Sequence, residues 1–213
     1  MLEVASAAFA NFLITIDPIG VVPFFMALTA GMTPARRRAV ALKGVGIAAA
    51  ILLVFTLVGQ PILHYLGVTL PAFRIAGGVL LMLLAIDMVI AREGGIRAPT
   101  PREEKDVAHR NPHPDVSVFP LAIPLIARPG AIASTILLQS QHVGNIAAQA
   151  VTASVMLGVL MLTTVAFFMC EAIMRLLGLT GVAVLSRVLG IVLAALAANN
   201  IIEGLRASFP VLG

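Results

Sequence analysis

"ITIDPIGVVPFF", residues 14–25, interrupts the first apolar run of the chain with an aspartate, a glycine and two prolines. A proline removes a backbone donor and clashes with the preceding helical turn. A glycine beside it loosens the backbone further. Whether this is an ordinary span or a broken one depends on the stretch itself. Whether there is a membrane to span depends on what surrounds it.

The surroundings are apolar throughout. Hydrophobic types make up 60% of the 213 residues and charged types 11%, and the mean hydropathy is +1.04. A soluble domain carries about 25% charged residues, so a surface this apolar needs lipid around it. The fold class expected is an all-α integral membrane protein with six spans, near residues 2–29, 38–65, 70–91, 116–140, 146–176 and 181–206. Each covers the roughly 20 apolar residues a hydrocarbon core requires. The first lacks the basic start of a signal peptide and reads as a retained span. Residues 91–115, "AREGGIRAPTPREEKDVAHRNPHPD", mix both charge signs with four prolines and read as a flexible linker.

Charge placement gives orientation. Arg36, Arg37, Arg38 and Lys43 cluster at the first connection, five Lys and Arg lie in the linker, and Arg175 lies near the fifth connection. The second and fourth connections have none, and Arg206 is the main exception. The positive-inside rule then predicts a cytoplasmic linker and both termini outside. The pI of about 10.2 reads as this asymmetry, so no nucleic-acid partner is expected. A single cysteine, Cys170, allows no intrachain disulfide and suggests no thiolate metal site.

The two halves match one another. "IDPIG" around Pro18 corresponds to "ARPGA" around Pro129, and "GQPILHYLGVT" to "CEAIMRLLGLT", both at an offset of 111. "FRIAGGVLLMLLA" corresponds to "LSRVLGIVLAALA", with Arg74 on Arg187 and Gly77 on Gly190, at an offset of 113. The organisation expected is a first three-helix repeat over 1–90, a linker over 91–115 and a second repeat over 116–213. Three spans per half is an odd number, so the second repeat enters from the opposite side. Inverted repeats are a common plan of secondary transporters, with the substrate site where broken spans meet near the midplane.

Pro18 and Pro23 break the first span, and Pro120, Pro124 and Pro129 the fourth. Backbone groups freed there cannot face lipid and must line protein or water. Asp17 and Arg128 occupy equivalent positions beside the breaks. A lone charge inside a membrane costs at least about 2.5–3.5 kcal/mol, so it faces a cavity or a partner. The candidate substrate site is therefore Asp17, Pro18, Gly20, Arg128, Pro129 and Gly130, with Asn11 and Thr15 preceding the first break. Half-helix N-termini there can receive a carboxylate. Asp17 can meet a substrate, carry a proton, or form a static pair with Arg128. Arg74 and Arg187 are candidates for gating or ion pairing, or simply reach the interface. Glu171 and Arg175 stand at i, i+4 and suggest a local helix pair. Asp87 and Glu203 lie near span ends and are expected to reach headgroups. Gly44, Gly46, Gly77, Gly78 and Gly190 suggest close helix packing.

In "DPIGVVPFF", "FRIAGGVLLMLLAIDM", "FPLAIPLIARPGAI" and "LSRVLGIVLAALA" the chain resembles the MarC family of six-span membrane proteins. The resemblance implies a bacterial or archaeal inner-membrane protein, grouped with the LysE-type amino-acid exporters. For some members it implies proton-driven transport of small neutral amino acids such as glycine and alanine. The family has a glycine before the second Pro-Gly, where this chain has Arg128. That departure points to a substrate with an extra acidic group or to a permanent Asp17–Arg128 pair.

The leading expectation is a secondary transporter of a small solute by alternating access. The alternatives are a channel or a membrane protein without transport activity in a partner role. An enzyme is not expected: there is no G-x-S-x-G elbow and no H-E-x-x-H helix. No phosphate-binding G-x-x-x-x-G-K-[ST] loop is present, so ATP is not the direct energy source within the chain. No cofactor or metal is expected. The partners are a small-molecule substrate, a coupling proton and the lipid bilayer, with a homo-oligomer left open.

Overall fold

The structure, a computed structural model, describes residues 1–90 and 115–209. The described residues form helices α1 (Leu2–Ile16), α2 (Val22–Leu28), α3 (Pro34–Tyr65) and α4 (Leu70–Ile90) in the first half. The second half holds α5 (Ser117–Ile126), α6 (Pro129–Ser140), α7 (Ile146–Phe168) and α8 (Cys170–Ser208). The linker reading falls on residues 91–114, outside the described residues, apart from its last residue, Asp115.

Local chemistry sets the helix starts. Thr33 caps α3 by accepting from the Arg36 N–H at 3.4 Å, with Pro34 at the first helical position. Asn145 caps α7 by accepting from the Ala148 N–H at 3.0 Å. The second span therefore begins at Pro34, earlier than residue 38. The fifth ends at Phe168, earlier than residue 176, because the chain turns at Met169 and continues as α8. α8 is itself bent at Gly178, whose φ of 64° and ψ of 179° leave the helical region. Its sequence counterpart Gly67 ends α3 with a φ of 67°. Both values favour glycine, which has no Cβ to clash there.

Among the described residues, four stretches are long and apolar enough to cross a membrane: Pro34–Gly59 of α3, and α4, α7 and α8. α5 and α6 meet at 55° and together make a fifth. α1, at 15 residues, is shorter than the roughly 20 of a straight span.

α6 sits in the middle, with ten of its twelve residues buried, and packs on α1, α3, α4 and α7. One apolar core gathers Phe12, Phe25, Leu52, Leu121, Met156 and Phe167 from α1, α2, α3, α5 and α7. A smaller one joins Leu81, Leu84 and Met88 of α4 to Leu193 and Ala197 of α8. α4 and α8 pack on each other more extensively than any other pair. A Cβ at Gly78 would lie 2.9 Å from the Ala197 carbonyl, one at Gly190 3.2 Å from the Ala85 carbonyl, and one at Gly204 2.9 Å from the Pro71 carbonyl. As α4 numbers rise their α8 partners fall, so the two helices run antiparallel. In lipid no hydrophobic force drives helices together, and such close backbone approach supplies the packing instead. Gly44 serves similarly, its Cβ position 2.5 Å from Leu121 of α5, whereas Gly46 faces open space.

Candidate functional site

The first break is built around Asp17. α1 makes its last turn with the Asp17 N–H donating to the Leu13 carbonyl at 3.0 Å. Asp17 then takes a left-handed conformation, φ 52° and ψ 67°, which aspartate tolerates better than branched residues. Pro18 follows and cannot continue the helix. The Asp17 carboxylate accepts the Gly20 N–H at 3.0 Å, closing an Asx-type turn. A Cβ on Gly20 would lie 2.1 Å from the Asp17 Oδ2 atom, so the carboxylate leaves room only for glycine. The chain re-enters a helix at Val22, with Pro23 in its first turn.

The second break differs in form. α5 is a distorted, widened helix with extended backbone at Phe119 and Ile123. Each precedes a proline, which disfavours the helical region for the residue before it. Pro120 and Pro124 follow cis peptide bonds. The irregular stretch is buried at Ser117, Pro120, Leu121, Ala122, Leu125 and Ile126, as broken backbone at membrane depth requires. Arg128 is extended and precedes Pro129, which opens α6.

The breaks meet through Arg128. Its Nε–H donates to the Thr15 carbonyl. In a continuous helix that carbonyl would accept from residue 19, and the turn at Asp17 removes this partner. The guanidinium thus satisfies an orphan carbonyl and places a cation at the negative end of α1. Asp17 is 1% exposed and Arg128 4%. Among the six residues at the breaks, therefore, Asp17 and Gly20 hold one turn and Arg128 binds across to it. Pro18 ends α1, and Pro129 and Gly130 start α6.

The flanking polar residues are placed around this junction. The Thr15 hydroxyl donates to the Asn11 carbonyl at 2.8 Å and is committed within α1. The buried Asn11 Oδ1 and the Ser134 hydroxyl of α6 have no hydrogen-bond partner among the described residues. A cavity of about 100 Å³ adjoins the second break, lined by Leu80, Leu83 and Leu84 of α4 and by Pro124, Arg128 and Gly130 among others. Arg128 is the one charged residue in that lining.

The second matched arginine pair behaves asymmetrically. Arg74 pairs with Glu203 at 3.4 Å, and the Asn199 amide donates to the same carboxylate at 2.9 Å. This ties α4 to α8, so Glu203 is spent on a partner helix instead of headgroups. Arg187 is exposed and makes no ion pair among the described residues. Neither lines the cavity at the break. Glu171 pairs with Arg37 of α3 at 2.6 Å, and not with Arg175. Lys43 binds Asp115 just before α5. The Lys43 ammonium, and after it the Ser117 hydroxyl, hold the Asp115 carboxyl down to about 2. These pairings span 134 and 72 residues, and no local spacing announces them.

A model of the MarC family of integral membrane proteins matches residues 2–209. A UPF0056 membrane protein of Methanocaldococcus jannaschii is 34% identical over 203 residues, covering 94% of this chain and 95% of that one. The UPF0056 membrane protein YvbG of Bacillus subtilis is 36% identical, covering 92% and 91%. The UPF0056 inner membrane protein YhgN of Escherichia coli is 32% identical, covering 97% and 98%. No solved structure matches the chain. Its apolar helices, its broken-span junction and these near full-length matches agree: the chain belongs to the MarC family of integral membrane proteins.

Proposed function

We propose that this protein is a secondary transporter of a small solute, working by alternating access around the junction of its two broken spans. The observation that carries this reading is the bond from Arg128 of one break to the Thr15 carbonyl of the other. Two interrupted spans joined at buried charges are the arrangement in which transporters hold substrate. Joining α1 to α2, as α5 joins α6, makes six spans in two halves. The antiparallel α4–α8 pair supports an inverted repeat: partners Gly78 with Ala197 and Gly190 with Ala85 exchange, approximately, under the sequence offset of 113. The matched left-handed glycines Gly67 and Gly178 support it as well. On the Lys and Arg balance, both termini lie outside and residues 91–115 in the cytoplasm of a bacterial or archaeal cell.

The substrate is a small amino acid, neutral as the family resemblance implies or acidic as Arg128 beside the break favours. Its carboxylate is received at the start of α6, where the Gly130 and Ala131 N–H groups begin the helix. Asp17 carries the coupling proton. The test is uptake of labelled glycine and alanine into proteoliposomes under an imposed pH gradient. Wild type accumulates label, and Asp17→Asn, which keeps an acceptor for the Gly20 N–H, folds but does not. Absence of flux for a broad amino-acid panel, under gradients of either sign and with folded protein, overturns the reading. It would favour a second one, a membrane partner in which the Arg128–Thr15 bond is a fixed lock.

A further inference from the structure

A second polar site lies away from the breaks, where the start of α3 meets the α7–α8 turn. A cleft of about 170 Å³ there is lined by Pro34, Arg37, Arg38, Phe167, Phe168 and Glu171 among others. Two guanidinium groups and one carboxylate leave the lining one positive charge in excess. Glu171 is engaged by the Nη1 atom of Arg37. The Nε of the same arginine is buried without a hydrogen-bond partner among the described residues. Arg38 is exposed and forms no ion pair among them. The cleft therefore presents guanidinium donors with capacity left over, the group best matched to phosphate oxygens.

The other wall is apolar. Phe167 is buried and stacks on Phe25 with ring centroids 4.2 Å apart. Phe168 and Met169, about half exposed, continue that wall onto the outside of the bundle. The site thus lies at the ends of two membrane-length helices, with charge on one side and lipid-facing surface on the other. A free anion gains nothing from the phenylalanines. A headgroup attached to an acyl-glycerol uses both walls, and basic pockets between helices at such ends bind anionic headgroups.

We propose that this cleft seats the phosphodiester headgroup of an anionic membrane lipid, its phosphate on Arg38 and Arg37 and its glycerol against Phe168. The excess positive charge selects a headgroup that lacks an ammonium.

The experiment is native mass spectrometry of the full chain in detergent, titrated with phosphatidylglycerol or phosphatidylcholine. Wild type retains one phosphatidylglycerol in preference to phosphatidylcholine. Arg38→Gln weakens that retention on the order of fivefold, the loss of one cation near the headgroup. Its helical circular dichroism and melting stay those of wild type, since Arg38 holds no ion pair among the described residues. Arg36→Gln, an equal charge loss on an exposed neighbour outside the cleft, leaves retention unchanged. Phe168→Ala weakens it without changing charge. Equal retention of both lipids by wild type overturns the proposal, as does an equal loss in Arg36→Gln. Displacement of the lipid by millimolar inorganic phosphate assigns the cleft to a free anion and also overturns it.

Discussion

At the scale of single residues, Asp17 and Arg128 each hold backbone as well as carrying charge, which opposite charge alone would not require. Asp17 accepts the Gly20 N–H, and Arg128 donates to the Thr15 carbonyl. A pair held only by opposite charge tolerates exchange. Asp17→Arg with Arg128→Asp should not: arginine at 17 accepts nothing from Gly20, and aspartate at 128 donates nothing to Thr15. Each unmet buried group costs about 1–3 kcal/mol, so the double exchange should recover neither folded yield nor melting temperature relative to either single variant. Recovery would return the pair to plain charge complementarity. The sequence pointed to these residues because the matching segments of the two halves align them. It could not reveal their duties, because the carbonyl Arg128 meets belongs to Thr15, 113 residues away, and only folding selects it. Asp115 gives a second prediction. Its carboxyl is depressed to about 2 from 3.8, so its contribution to stability is complete above about pH 4 and is lost as pH falls toward 2. Lys43→Met should shrink the acid sensitivity of the melting temperature in that window and leave its shape above pH 5 unchanged. The effect is small, as both side chains are about half exposed.

At the scale of elements, the prolines made the breaks legible, while the form of each break was not. Pro18 follows a left-handed turn that its neighbouring aspartate closes, so the first break is tight. The second is spread over α5, where two prolines ten or fewer residues before Arg128 distort the helix along its length. The turn at Met169 was hidden altogether, since no proline or glycine marks it. Close helix packing was anticipated at Gly77, Gly78 and Gly190; Gly78 and Gly190 make the α4–α8 contact while Gly77 faces Leu137 of α6, and the α4–α8 geometry yields a graded expectation. Gly190→Leu must displace Met88, Val89 and the Ala85 carbonyl, all within 3.2 Å of the new Cβ. Overpacking of this kind costs about 1–3 kcal/mol. Gly46→Leu, in open space on α3, should be neutral or slightly stabilising, because glycine is the poorer helix former. Thermal unfolding of the two variants in detergent tests this. Equal destabilisation would mean that α4 and α8 are not in backbone contact.

At the scale of the whole molecule, the pairs Arg37–Glu171, Lys43–Asp115 and Arg74–Glu203 share one feature: each joins a cation of residues 1–90 to an anion of residues 115–209. They also divide by position. α3 starts beside Arg37 and Lys43, crosses the bundle, and turns at Gly67 into α4, so Arg74 lies at the opposite end. One end is thus clasped by Arg37–Glu171 and Lys43–Asp115, and the other by Arg74–Glu203. Alternating access requires the two halves to part at one end while staying closed at the other. On the mechanism proposed above, the conformation described, clasped at both, would be the closed intermediate between them. Partly exposed pairs of this kind contribute about 0–1 kcal/mol each, weak enough to open in the proposed cycle. In a Cys170→Ser background, Arg74→Cys with Glu203→Cys, joined by a short thiol cross-linker, should arrest uptake. Arg37→Cys with Glu171→Cys should do the same at the other end, and reductive cleavage of a disulfide-containing linker should restore it in both cases. A cross-linked protein that still carries solute at the wild-type rate would show that this end does not open. If neither cross-link slowed transport, the halves would not move against each other, and the solute path would have to be sought within a single half.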